Sequence, residues 1–171
     1  MALVVLVSLV SGATGSVTEA VSSLGSSMLT VTISDDKGSP VTLDTLDQWM
    51  KEEKLGLIAP EIRDAQSATG KEASASMIVY GTTPAYYEIQ GLQLAMGRWL
   101  KRSDVQNNSY VCVINQTAAE ELVGYIDCIG EAISINNVKY SIVGVLSDDE
   151  DSLTAVFTAG TMVAYIPYSS L

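Results

Sequence analysis

Histidine is absent from this sequence of 171 residues, and basic residues are scarce. Without histidine, the chain cannot build a Ser-His-Asp or Cys-His catalytic group, a histidine-ligated zinc site or a histidine-based pH switch. Lys and Arg number 9 against 20 Asp and Glu, so the formal net charge is -11. Such an acidic chain is a poor nucleic-acid binder, because phosphate binding needs a basic patch.

Motifs that bind nucleotides or metals are missing as well. Gly70-Lys71 lacks the earlier glycine and the following Ser or Thr of a P-loop, and no Gly-x-Gly-x-x-Gly occurs. The acidic run Asp148–Asp151 lacks the spacing and the glycine of an EF-hand, which favours a solvated loop over a Ca²⁺ site. Composition and motifs therefore indicate no active site and imply no cofactor.

What the sequence does contain is typical of a folded protein. Hydrophobic residues make up 47% of the chain and charged residues 17%. This balance supports a packed core and excludes intrinsic disorder. The length leaves room for one ordinary domain or for two small lobes.

An apolar run occupies residues 2–10. It has no basic region before it and no clear cleavage site, which argues against a signal peptide. It is also shorter than the roughly 20 apolar residues that a membrane-spanning helix needs. We expect a helix here, either buried or, as the interpretation we favour, the tail of a truncated membrane helix over residues 1–15. Both ends of the chain look cut rather than natural, and the chain as given is expected to be soluble.

The apolar pattern changes between helical and extended periodicity along the chain. Helices are predicted at residues 17–24, 42–56, 85–91 and 117–124, and the last of them starts at a capping box formed by Thr117 and Glu120. Strands are predicted at residues 28–33, 57–65, 74–80, 110–114, 131–135, 138–146 and 163–167, with a loop at 92–99. Asn136-Asn137 predicts a two-residue type I′ hairpin. Strands and short helices without regular βαβ alternation indicate an α+β fold.

Cys112 and Cys128 are the only cysteines. An even count permits a disulfide in an extracytoplasmic protein. Two buried thiols are the alternative that we favour, because Cys112 lies in a strand predicted to be buried. A catalytic cysteine has little support without a histidine to activate the thiol.

Aromatic residues provide the remaining candidate site. Trp49, Trp99 and the group Tyr80, Tyr86 and Tyr87 have the chemistry of a ligand-binding surface. Trp49 is expected in the core instead. The candidates for contact with a partner or substrate are therefore Tyr86, Tyr87 and Trp99.

A series of short motifs also follows one another along most of the chain. They are Gly12–Ile33, Thr42–Asp47, Val79–Tyr87, Gly97–Asp104, Ile129–Ile135, Tyr140–Leu146 and Val163–Pro167. In type, order and spacing these segments resemble the extracytoplasmic core domain of MacB/FtsX-like ABC transporter permeases. Cys128, where that family often has proline, and Glu131, where it usually has lysine, depart from the pattern.

The resemblance implies a fold of two α+β lobes. A porter-like lobe is expected from residues 16–84 and 160–171, and an inserted sabre-like lobe from residues 85–159. The resemblance also implies a location at the cell membrane, on its extracytoplasmic side.

The function implied by the resemblance is non-catalytic. ATP would be hydrolysed on a separate cytoplasmic domain, and the helix expected at Val17–Leu24 would carry the movement outward to drive substrate export. The implied partners are that ATPase, a second permease copy and an extracytoplasmic adaptor or peptide substrate. The alternative is a regulatory binding module, either an FtsX-like activator of a cell-wall hydrolase or a sensor of antimicrobial peptides.

Overall fold

The fold is given by a computed structural model that describes residues 4–9, 28–33, 48–49, 51, 56–147 and 160–171. The helices expected at 17–24 and over most of 42–56, and the acidic run Asp148–Asp151, lie outside these residues. Gln48, Trp49 and Lys51 are helical, as expected. Within the described ranges, no helix is long and apolar enough to cross a membrane.

Strands dominate the described part of the chain. They are β1 (Val4–Leu9), β2 (Met28–Ile33), β3 (Ile58–Thr69), β4 (Ser74–Thr82), β5 (Leu94–Gly97), β6 (Val111–Asn115), β7 (Ala132–Ile135), β8 (Val138–Leu146) and β9 (Val163–Pro167). The helices are short: α1 (Ala85–Gln90), α2 (Arg102–Gln106) and α3 (Gln116–Val123), with a 3₁₀ turn at Tyr168–Ser170.

The strands form one mixed sheet in the order β2-β1-β3-β4-β9-β6-β8-β5, and β7 pairs with both β3 and β8. Parallel pairs, such as β4 with β9 and β6 with β8, stand beside antiparallel ones, such as β3 with β4. This architecture confirms the α+β prediction. Strands of the two expected lobes are joined through the β6–β9 and β3–β7 pairs, and the division into lobes stays a prediction.

Most strand predictions in the described ranges are confirmed. β6 lies between β8 and β9, and its residues from Cys112 to Asn115 are buried, which explains its continuous apolar character. The β7–β8 hairpin turns at Asn136 and Asn137, whose φ angles are 48° and 66°. Both angles are those that a type I′ turn requires.

Side chains alternate between two apolar clusters, one on each face of the sheet. Along β9, Ala164 and Ile166 belong to the first cluster, and Val163 and Tyr165 to the second. The first cluster, which we call the aliphatic face, is covered by α3; its members include Met77, Val79, Ile114, Ala118, Leu122, Ile133 and Ile142. The second, the aromatic face, includes Ala59, Tyr86, Leu92, Trp99, Leu100, Val113 and Tyr165.

Three local predictions are wrong. Val4–Leu9 is a strand that pairs in parallel with β2 and β3, so the helix expected for this run is incorrect at these residues. The valine-rich composition explains why this run is a strand, because valine favours an extended backbone. An unbroken apolar run is also typical of a strand that is paired on both sides. Its assignment to the tail of a membrane segment is not tested by this conformation.

The loop expected at residues 92–99 contains β5, which pairs with β8. The other correction concerns the start of α3. Its N-cap is Asn115, whose side-chain oxygen accepts from Ala118 N at 3.2 Å, and not Thr117. An asparagine ending a strand is as good a cap as threonine, so the sequence pattern placed the start two residues late. Gly124 closes the helix as expected, with φ at 93°.

Candidate functional site

The aromatic residues predicted as a binding site meet on one face of the sheet. We call Tyr80, Tyr86, Tyr87, Trp99 and Tyr165 the aromatic cluster. Tyr80 lies on β4 and Tyr165 on β9, Tyr86 and Tyr87 lie on α1, and Trp99 follows β5. The structure therefore brings together the three predicted candidates, and adds Tyr165, which the sequence analysis missed.

Strand register creates the centre of the cluster. Tyr80 lies opposite Tyr165 in the parallel β4–β9 pair, and their rings stack at a centroid distance of 5.2 Å and an angle of 17°. Arg63 lies opposite Tyr80 on β3, with its Cζ 5.7 Å from the centre of the Tyr80 ring. Cross-strand neighbours of this type attract one another through ring stacking and cation–π contact.

The short helix α1 carries the next two rings over this stack. Pro84 precedes the helix with φ at -54°, and Gly91 ends it in the left-handed conformation, with φ at 61°. Proline fits the start of a helix and glycine its end, which is why so short a segment is well delimited. The ring centroids of Tyr86 and Tyr165 are 5.8 Å apart. The Tyr86 hydroxyl donates to Glu61 Oε2 at 2.8 Å.

Trp99 closes the cluster. Its ring lies 5.3 Å from both Tyr87 and Tyr165, measured between centroids. The adjacent Arg98 holds this segment, because its Nη1 is 2.7 Å from Asp104 Oδ2 in a partly buried ion pair. Asp104 also accepts from Lys101 N at 2.8 Å, at the start of α2. The backbone on both sides of Trp99 is therefore fixed, and the indole position with it.

Burial decides the protonation of the two innermost phenols of the site. Burial, followed by the nearby Glu61 carboxylate, raises the pKa of Tyr86 far above its ordinary value. Burial likewise raises the pKa of Tyr165. Both phenols stay protonated at physiological pH, so neither acts as a base. Burial opposes ionisation of Asp104, yet hydrogen bonds from Arg98 and Lys101 N hold its pKa below the usual carboxyl value.

Two buried polar atoms have no hydrogen-bond partner among the described residues. They are Trp99 Nε1, in the cluster, and Thr83 Oγ1, just before α1. Most buried donors are satisfied in folded proteins, by protein groups or by ordered water. Tyr80 and Tyr87, at the two ends of the cluster, are half-buried, whereas Tyr86, Trp99 and Tyr165 are buried. Tyr80 and Tyr87 therefore form the part of the site that is accessible to solvent.

The two cysteines lie on the opposite, aliphatic face. Cys112 and Cys128 are free thiols here and both are buried, and a disulfide between them stays a prediction. Burial raises the pKa of both thiols, and for Cys112 the neighbouring Cys128 adds to the effect. They behave as small apolar core residues. In the described residues, no group of three or more His, Cys, Asp or Glu side chains is arranged to hold a metal ion.

Comparisons with known proteins agree on one family. The family described as MacB-like periplasmic core domain matches residues 1–171. The macrolide export ATP-binding/permease protein MacB of Syntrophobacter fumaroxidans is 39% identical over 90 residues, which cover 47% of this chain and 13% of that protein. The MacB protein of Neisseria gonorrhoeae is 23% identical over 175 positions, or 97% of this chain and 26% of that one. The chain thus spans about a quarter or less of the length of these relatives.

Solved structures show the same fold. The periplasmic region of MacB from Actinobacillus actinomycetemcomitans has a TM-score of 0.62 and 21% identity, covering 73% of this chain and 54% of that one. The extracellular domain of the noncanonic ABC-type transporter YknZ from Gram-positive bacteria has a TM-score of 0.62 and 16% identity, covering 74% and 62%. At these identities the likeness concerns the fold alone.

Proposed function

This chain belongs to the family of MacB-like periplasmic core domains, and from that premise we propose that it is the extracytoplasmic domain of an ABC transporter permease. In this proposal the domain makes and breaks no bonds. ATP is hydrolysed by a cytoplasmic partner, and the domain converts the resulting movement into export of a substrate. The single observation that carries the proposal is the family match along the whole chain.

The fold supports a mechanical role. Strands from residues 58–82 and 111–146 are joined edge to edge through β9, so a displacement of β3 or β4 passes through backbone hydrogen bonds to β6 and β8. Asn115 strengthens this connection, because its Oδ1 accepts from Val163 N at 3.0 Å as well as from Ala118 N. A packed sheet of this type moves as a unit more readily than it deforms.

A second candidate function is favoured by the aromatic cluster. Half-buried Tyr87 contacts the buried indole of Trp99, whose N–H has no acceptor among the described residues, and half-buried Tyr80 stacks on Tyr165. Aromatic side chains with a polar atom are enriched where proteins bind partners. The domain would then act as a regulatory or sensing module, which recognises an extracytoplasmic ligand and signals its presence to the permease.

Vesicles that contain the complete transporter separate these two functions. Export predicts ATP-dependent movement of a substrate across the vesicle membrane, reduced several-fold by Tyr87→Ala and unchanged by Val138→Ser, an exposed residue on β8. Sensing predicts no transport, but a change in ATP hydrolysis when the ligand is added outside. ATP hydrolysis by the purified 171-residue chain alone would contradict the proposal that the domain is non-catalytic.

A further inference from the structure

The loop between α3 and β7 exposes two large apolar side chains. Tyr125 is 44% exposed and Ile129 is 41% exposed, whereas most large hydrophobic side chains in the described part of the chain are buried or half-buried. Single exposed apolar residues are ordinary, but two in one short loop form a potential contact surface. We call residues 124–131, together with the side chains that contact them, the α3–β7 loop surface.

Backbone hydrogen bonds and one buried side chain fix the conformation of this loop. Gly130 N donates to Ile142 O at 2.8 Å, and Glu131 N donates to Cys128 O at 3.0 Å. Cys128 is fully buried in the aliphatic face and anchors the loop from below. The surface is therefore preformed, which lowers the entropic cost of binding a partner.

Several carboxylates lie in this loop and in the elements next to it. Exposed Glu120 and Glu121 lie near the end of α3, and exposed Asp127 lies in the loop itself. The Tyr125 hydroxyl donates to Glu131 Oε1 at 2.9 Å. The side chain of Glu72, at the β3–β4 turn, lies against Gly124.

The described basic residues beside this surface are already paired. Lys71 Nζ lies 2.7 Å from Glu131 Oε1. Ile129 lies against Gly97, and the neighbouring Arg98 is bound to Asp104. Among the described residues in and beside this loop, these five carboxylates outnumber the one ammonium group, so the local potential is negative.

The end of α3 makes this arrangement unfavourable for the protein by itself. The carboxyl end of a helix carries a partial negative charge, which cations stabilise and carboxylates destabilise. The last turn of α3 contains no basic residue, and Glu120 and Glu121 lie there instead. An unfavourable charge arrangement of this kind, which nothing inside the fold offsets, is expected where a binding partner offsets it.

We propose that the α3–β7 loop surface docks a protein segment in which lysine or arginine side chains flank an apolar anchor residue. The anchor contacts Ile129 and the ring of Tyr125. The cationic side chains lie over the end of α3 and the surrounding carboxylates. The charge of the surface decides the chemistry of the partner, since like charges across an interface are repelled.

The test uses two fluorescent helical peptides, one of leucine and lysine and one with glutamate in place of every lysine. Fluorescence anisotropy with the whole chain measures binding of each. The lysine peptide is expected to bind, and the glutamate peptide is not. Raising the salt from about 0.01 M to about 0.15 M shortens the screening length from about 30 Å to about 8 Å, and we expect the affinity to fall.

Variants locate the site. Ile129→Ser is expected to weaken binding about tenfold, in line with the loss of one buried aliphatic contact. Val138→Ser is its matched control, because Val138 is 40% exposed but lies at the far end of the β7–β8 hairpin; this variant is expected to bind as the parent does.

A double variant and its matched control test the contribution of the carboxylates to binding. The double variant Glu120→Gln, Glu121→Gln is expected to weaken binding about fivefold while raising the melting temperature by a few degrees, because it removes carboxylates from the negative end of a helix. Asp64→Asn with Glu88→Gln removes two exposed carboxylates elsewhere and is expected to leave binding unchanged. Equal binding of both peptides, unchanged binding by Ile129→Ser, or equal weakening by a control variant would overturn the proposal. None of these results bears on the export function.

Discussion

The two faces of the sheet differ in residue type and in how fully their side chains are buried. On the aliphatic face, α3 buries side chains of its own, such as Leu122, in one cluster with strand side chains such as Ile114. On the aromatic face, the rings of Tyr80, Tyr86 and Trp99 lie around Tyr165, Tyr80 and Tyr87 are half-buried, and Trp99 Nε1 has no acceptor among the described residues. The difference indicates that stability is concentrated on the aliphatic face. The aromatic face is the one on which half-buried rings remain at the surface.

The largest expected effect is a cavity on the aliphatic face. Leu122→Ala removes a fully buried side chain between α3 and the sheet. We expect the free energy of unfolding to fall by about 3 kcal/mol, which is typical of a buried leucine truncation. Urea unfolding of the purified chain measures the change. A loss below about 1 kcal/mol would show that this face is not tightly packed.

Asn115→Ala tests the connection between α3 and β9. The variant leaves the buried N–H groups of Ala118 and Val163 without their acceptor, and frees Thr161 O from Asn115 Nδ2. Each unsatisfied buried group costs about 1–3 kcal/mol, so we expect a loss of about 2–3 kcal/mol by the same measurement. Asn115→Asp keeps the accepting oxygen and is the matched control, with a smaller expected loss. Equal losses in both variants would mean that the accepting oxygen is unimportant.

The lowered pKa of Asp104 predicts that the stability of the protein depends on pH. Its pKa is lowered in the folded protein, so ionised Asp104 stabilises the fold above the ordinary carboxyl pKa of about 4, and this contribution is lost as the pH falls through the folded value. Asp104→Asn removes a charged hydrogen-bond acceptor and is expected to cost about 2 kcal/mol at neutral pH. The variant's stability relative to the parent, followed by unfolding from pH 7 downward, should improve below about pH 4. A constant difference across this range would contradict the assigned role.

The smallest effect is expected at the exposed edge of the aromatic cluster. Tyr87→Ala removes a half-buried ring that contacts Trp99. We expect a stability loss of about 1 kcal/mol, since an aromatic pair contributes about 0.5–1.5 kcal/mol. Near-ultraviolet circular dichroism should change at the same time, because Trp99 loses a neighbouring ring. A loss as large as that of Leu122→Ala would remove the distinction between the two faces.

Local structure was predictable wherever one short pattern decides it. The Asn136-Asn137 turn, the end of α3 at Gly124 and the buried strand β6 follow from positive-φ preferences and apolar runs. The stack of Tyr80 on Tyr165 was not predictable, because it depends on the register of two strands about 85 residues apart in the chain. The conformation of Val4–Leu9 was predicted wrongly, because a short apolar run alone does not distinguish a buried strand from a helix.

The candidate site was predicted in composition but not in arrangement. The sequence indicated Tyr86, Tyr87 and Trp99, and the structure brings them together. The only signal for Tyr165 was its central position in the predicted strand Val163–Pro167. The apolar residues of the α3–β7 loop escaped the sequence analysis, because exposure of Tyr125 and Ile129 depends on how the loop is anchored.

Nucleotide-dependent labelling of the complete transporter tests the central claim, namely that ATP hydrolysis elsewhere moves this domain. Tyr87→Cys and Val138→Cys place one reactive thiol on the aromatic face and one on the β7–β8 hairpin, while Cys112 and Cys128 are buried. The account predicts that the labelling rate at position 87 changes several-fold between the ATP-bound and ATP-free transporter, with a constant rate at position 138. Identical rates at position 87 in both states would contradict the account.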